Sequence, residues 1–101
     1  MPISLCVLLW ARPGREDALI AYEDKVLALV PEHRGRVLQR ARTDGADDQL
    51  LEIQMFSFES QEAMDGYMAD ERRLALTDER DRAVARTELM RVTLAEQGPE
   101  N

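Results

Sequence analysis

His33 is the only histidine in the chain. It is therefore the one side chain that changes charge near neutral pH without help from its surroundings. It can act as a general acid or base in a proton transfer. In a helix-exit turn beside Glu32 and Arg34, such a residue is more often a solvated or capping one. Cys6, the single cysteine, lies in an apolar run with no basic neighbour in sequence to activate it, and reads as an inert core thiol. It cannot form a disulfide within the chain, which fits a reducing, cytoplasmic setting. One histidine and one buried cysteine offer no metal-ligand spacing. No glycine-rich phosphate loop or serine elbow is present. Neither a metal nor a cofactor is expected.

The other chemistry-bearing residues must be brought together by the fold. Residues 3–11, ISLCVLLWA, alternate as a strand, with Ile3, Leu5, Val7 and Leu9 opposing Ser4, Cys6, Leu8 and Trp10. Arg12, Pro13 and Gly14 break it. A helix is expected over 15–30, with Leu19, Tyr22, Val26 and Leu29 as its apolar stripe and Glu16, Asp17, Glu23, Asp24 and Lys25 on the other side. Pro31 and Gly35 end it. Residues 36–44 read as a more polar edge strand, and the Asp-Gly and Asp-Asp pairs in 43–48 read as a hairpin loop. Residues 50–58 read as a central strand with Leu51, Ile53 and Met55 on one face and Glu52, Gln54, Phe56 and Phe58 on the other.

Ser60 supplies a helix cap, and Met64, Tyr67 and Met68 mark that helix's buried face. Residues 70–85 give one broken helix or two short ones, with Thr77 capping the second. Arg72, Arg73, Arg80, Arg82 and Arg86 alternate with acids there, as on an exposed face. Residues 87–95 form the last strand, with Met90, Val92 and Leu94 opposing Leu89 and Arg91. One domain over 1–95 and a flexible tail over 96–101 complete the expected organisation.

The resulting order, βαββαβ, is an α+β split pattern on an antiparallel sheet with both helices on one face. The aliphatic sets are expected under the helices. The opposite face is then expected to carry Cys6, Leu8, Trp10, Leu38, Phe56, Phe58 and Leu89 with Arg40, Glu52, Gln54 and Arg91. Such a face is too apolar to stay open, and a second copy pressing on it is the simplest cover. Arg40 and Arg91 around Glu52, with Trp10 and Phe56 beside them and Tyr67 lining a cleft, suit a small anion or an aromatic acid. The same charges also suit an ion-pair network inside a dimer interface.

Charge narrows the partners. Thirteen basic residues against 20 acidic ones give a net charge of −7. That argues against nucleic acid and against an anionic membrane surface. The apolar run at 3–11 is too short to span a bilayer and lacks the basic start of a signal peptide.

Three stretches carry a family resemblance: WARPG at 10–14, Gly35-Arg36-Val37-Leu38, and FSFESQEAMDGYMADERRLAL at 56–76. Over roughly residues 3–95 the chain resembles the dimeric α/β-barrel proteins of ferredoxin-like fold, a superfamily that includes antibiotic-biosynthesis monooxygenases and many small bacterial proteins of unknown function. The resemblance implies two sheets facing each other across a dimer and a cleft between sheet and helices in each protomer. Some members oxidise aromatic substrates without metal or flavin. Others open haem, break down chlorite or carry out lyase and isomerase steps. The haem-degrading pattern of Asn, Trp and His is not matched, because the chain has no Asn before Asn101. Tyr67 and Trp10 likewise lack the Asn partner of the monooxygenase pattern. Two readings stay open. One is a homodimer that binds or converts a small aromatic or anionic molecule, monooxygenase- or isomerase-like, with His33 as acid or base. The other is a non-catalytic dimeric structural or interaction module.

Overall fold

The structure is a computed structural model that describes residues 2–95. The tail expected over 96–101 lies outside the described residues. Four strands, β1 (Ile3–Ala11), β2 (Gly35–Arg42), β3 (Glu52–Phe58) and β4 (Val84–Val92), form one antiparallel sheet in the order β2-β3-β1-β4. Helix α1 (Glu16–Leu27) follows β1, and α2 (Gln61–Met68), α3 (Glu71–Leu74) and α4 (Thr77–Ala83) lie between β3 and β4. This is the α+β, ferredoxin-like βαββαβ arrangement. Among the described residues no helix is long and apolar enough to cross a membrane.

Directly opposed residues of antiparallel strands share a face of the sheet, so the register fixes what lies under the helices. Leu5 opposes Phe56, Val7 opposes Gln54 and Leu9 opposes Glu52. On the other side of β1, Val7 opposes Leu89 and Leu9 opposes Thr87. The odd positions of β1 are buried under the helices, as the alternation predicts. The faces of β3 and β4 are reversed from the sequence reading. Glu52, Gln54, Phe56 and Phe58 point into the core, Leu89 and Arg91 lie on the same side of the sheet but stay exposed, and Ile53, Met55 and Met90 point away. Arg40 and Arg42, opposite Gln54 and Glu52, also lie on the helix side. Leu38 falls at a register shift between Val37 and Gln39.

The physical reason for the reversal is volume and charge together. Phe56 and Phe58 bury more apolar surface than Ile53 and Met55. The carboxylate that comes inside with them is neutralised by arginines from β2. Only Cys6, Leu8 and Trp10 of the expected open face stay there.

The helices cover this core with Leu19, Tyr22, Val26 and Leu27 of α1 and Tyr67 of α2. Glu23, read from sequence as solvent-facing, is buried among them. Ser60 caps α2 as expected, accepting from the Ala63 N–H at 3.1 Å. The stretch after it does divide in two. Asp70, not Thr77, supplies the side-chain cap, accepting from the Arg72 N–H at 2.8 Å, whereas the Thr77 hydroxyl donates backwards to the Leu74 carbonyl. Strand β4 starts at Val84, three residues before its predicted start at Thr87.

A single turn of 3-10 helix (Val30–His33) leads from α1 to β2. Its left-handed end is Arg34, φ 58°, not Gly35. Gly35 is required for another reason: a Cβ there would sit 2.7 Å from the Phe58 ring and 2.8 Å from Val30.

Candidate functional site

A cleft opens between the sheet and the helices, at the β4 side of the molecule. Its floor is Val7 and Leu9 of β1, Gln54 and Phe56 of β3, and Thr87 and Leu89 of β4. Its walls are Tyr22, Glu23 and Val26 of α1, Tyr67 and Met68 of α2, Arg73 of α3 and Arg80 of α4. It encloses about 60 Å³. At about 30 Å³ for each water in the liquid, that is room for a few small groups rather than a drug-sized ligand.

The polar groups linked through Gln54 form a graded series. Glu52, fully enclosed, accepts from Arg40 Nε at 2.8 Å and Arg42 Nε at 2.9 Å. Arg40 also donates to Asp24 at 2.7 Å. Burial raises the Glu52 pKa, but the hydrogen bonds from Arg40, Gln54 and Arg42 outweigh it and hold the carboxyl below its usual range. Gln54, also buried, spends its amide group on two carboxylates, donating to Glu52 at 2.7 Å and to Glu23 at 2.8 Å. Glu23 has no guanidinium paired to it. Burial pushes its carboxyl up, and the nearby charge of Glu52 adds to that.

The phenols stay protonated. Burial raises both Tyr22 and Tyr67, the latter to about 12, and the Tyr67 hydroxyl donates to the Val26 carbonyl at 3.2 Å. Arg73 lies over the Tyr67 ring, 5.2 Å from its centre. Its Nη1 reaches the Met68 carbonyl at 3.4 Å, but its Nε is buried without a hydrogen-bond partner. A buried N–H left unpaired costs about 1–3 kcal/mol, so this donor is placed to receive an acceptor.

The residues singled out from sequence are spread over three places. Phe56 and Tyr67 line the cleft, whereas Arg40 and Glu52 form an ion pair that does not line it. Arg91 lies on the helix side of β4 but reaches outward to Gln61, away from Glu52. Trp10 is on the opposite face of the sheet, where Arg86 stacks 4.5 Å from its ring centre. There it borders an open groove of about 470 Å³ with Pro13, Gly14, Asp47 and Asp48. His33 stands outside the cleft, with Nε2 2.8 Å from Asp70 Oδ2 and its ring edge-on to Tyr67. The carboxyl of Asp70 is held well below its usual range by Arg72 and by His33.

Sequence reading missed Glu23, Gln54, Arg73 and Arg80 as cleft residues. One signal was there. Glu23 lies four residues after Leu19 and three before Val26, so it occupies the apolar stripe of its own helix. For Arg73 and Arg80, a run of alternating charges hides which members face inward.

Comparison with protein-family models gives no match, and comparison with curated proteins gives none either. Solved structures do match. A protein of unknown function from Rhodopseudomonas palustris gives a TM-score of 0.77 at 17% identity, over 95% of this chain and 84% of that one. A NIPSNAP family protein of unknown function from Agrobacterium tumefaciens gives 0.75 at 14% identity, over 97% and 92%. A protein from Bacteroides fragilis, described as dimeric, of unknown function and of ferredoxin-like fold, gives 0.70 at 8% identity, over 92% and 96%. At such identities the likeness is one of fold, and it agrees with the strand order and helix placement found here: the chain has the ferredoxin-like fold.

Proposed function

We propose that this protein is a cytoplasmic homodimer that binds, and converts, a small anionic molecule in the cleft between sheet and helices. The observation that carries this is the buried, unpartnered Nε–H of Arg73, a residue lining a cleft that already holds phenol, amide and carboxyl groups. A charge-assisted hydrogen bond to an oxyanion satisfies that donor, and Arg80 adds a second positive charge. The apolar part of the ligand lies against Val7, Leu9 and Phe56. Proton transfer, the isomerase-like side of the fold's repertoire, suits a cleft with a buried carboxyl and protonated phenols better than aromatic oxidation does. An aromatic ring needs more room than the closed cleft has, so such a ligand requires Met68, Arg73 or Arg80 to swing aside.

The homodimer reading rests on the open face of the sheet. Cys6, Leu8, Ile53, Met55 and Val92 lie there half-buried, and Met90 is 40% exposed. A second copy covering this face removes that surface from water, and the Bacteroides fragilis protein of the same fold is described as dimeric.

Isothermal titration with pyruvate and with benzoate tests the cleft. Binding of at least one that is lost in Arg73→Ala supports it. Absence of binding by the unaltered protein, or binding untouched by that substitution, favours the non-catalytic dimeric module.

A further inference from the structure

We propose that Glu23 is the proton-transferring residue of the cleft, and that its substrate class is a small 2-oxo carboxylic acid with a C–H bond next to the carbonyl. This rests on the reading of the cleft as a ligand site.

The two carboxylates held by Gln54 are not equivalent, and only Glu23 lines the cleft. Glu52 is committed: two guanidinium groups and the Gln54 amide occupy it. Glu23 is only 6% exposed, yet among the described residues it forms no ion pair and takes one side-chain hydrogen bond, from Gln54 to Oε1. Its second oxygen is free. A side chain that brings a carboxyl into an apolar cleft without pairing it lowers stability, and such groups cluster where a proton must be moved. Gln54 acts as the positioning residue, because its amide holds Oε1 and leaves Oε2 for the ligand.

Glu23 and Arg73 line the same cleft and are close enough for the Arg73 charge to act on the Glu23 carboxyl. That pair defines the chemistry. Arg73 takes the carboxylate and carbonyl oxygens of a 2-oxo acid on its free N–H groups. The C–H proton next to the carbonyl passes to Glu23. The C–H electron pair becomes the C=C bond of an enolate, and the carbonyl π pair moves to oxygen, beside Arg73. Return of the proton to carbon restores the keto form, and its delivery to oxygen gives the enol. No oxidant, reductant or co-reactant is needed. The cleft volume, about 60 Å³, sets the size of the substrate near that of pyruvate.

The experiment follows deuterium uptake into the methyl group of pyruvate in D₂O by proton NMR, with the full chain as catalyst. Saturable exchange above the buffer rate is expected. Glu23→Gln should lose about 100-fold of it or more while still binding pyruvate, seen by saturation-transfer NMR. Glu23→Asp should recover part of the loss. The groups facing Glu23 are Tyr22 on its own helix, Gln54 and Glu52 on β3, Arg40 on β2, Tyr67 on α2 and Arg73 on α3. The exchange rate of the unaltered protein should therefore follow the Glu23 titration, read separately from its side-chain carboxyl carbon resonance. That comparison holds even if Glu23→Gln does not fold. Bound pyruvate with no exchange, exchange unchanged in Glu23→Gln, or a rate that ignores the Glu23 titration overturns the proposal and leaves the ligand site standing. No binding of pyruvate or of benzoate, and no exchange, overturns both.

Discussion

At the residue scale, two carboxylates joined by one amide have opposite electrostatic histories. Glu52 is held below the usual range, so it contributes stability above its unfolded pKa of about 4.5 that is lost as the pH falls below it. Glu23 is raised, so its proton favours the folded state at low pH, and that contribution disappears as the pH climbs from about 4.5 through the raised value. The two substitutions should separate cleanly. Glu52→Ala leaves Arg40 and Arg42 facing a buried void and should cost about 3 kcal/mol, measured by urea unfolding at neutral pH. Glu23→Gln should gain stability relative to the unaltered protein as the pH rises from about 4 to about 7, with little difference at the acid end. Equal effects at both pH values would contradict the burial of an unpaired carboxyl. From sequence, Arg40 and Glu52 were legible as partners on neighbouring strands. Arg73 was not, since a guanidinium buried by its neighbours looks the same in sequence as a solvated one.

At the element scale, every strand and the two main helices were legible within a few residues, because alternation and the 3.6-residue stripe are local. The facing of β3 and β4 was not. A strand apolar on both sides can be turned either way, and the choice depends on which partner residues stand opposite. Here Phe56 meets Leu5, Phe58 meets Ile3, and Glu52 meets Arg42 across the β2 pairing. The two arginines two residues apart in β2 were the available sign that a carboxylate would come inside. Two substitutions check the element boundaries. Ser60→Ala should cost about 1 kcal/mol through the lost cap of α2. Gly35→Ala should cost about 2 kcal/mol, because the new methyl meets Phe58 and Val30 and neither is at a free end. Thermal unfolding reads both, and a neutral Gly35→Ala would contradict the close packing of β2 onto the core.

At the scale of the whole molecule, the sheet has one side closed by helices and one side open. The closed side holds the cleft, and the open side holds Leu8, Ile53, Met55 and Met90. The proposed ligand chemistry belongs to the first and the proposed self-association to the second. Leu8→Glu places a charge at the centre of the open face and should convert dimer to monomer in sedimentation velocity, with the helix-side core intact by circular dichroism. An unaltered protein that already sediments as a monomer would rule out the dimer and leave the cleft in place. The most direct measurement on the cleft is the Arg73 side-chain Nε–H resonance in a ¹⁵N NMR titration with pyruvate. A saturable downfield shift of that resonance is expected, accompanied by shifts of the backbone amides of Phe56, Tyr67 and Leu89. A titration that leaves Arg73 unmoved, or moves only residues around Trp10 and Arg86, would contradict it.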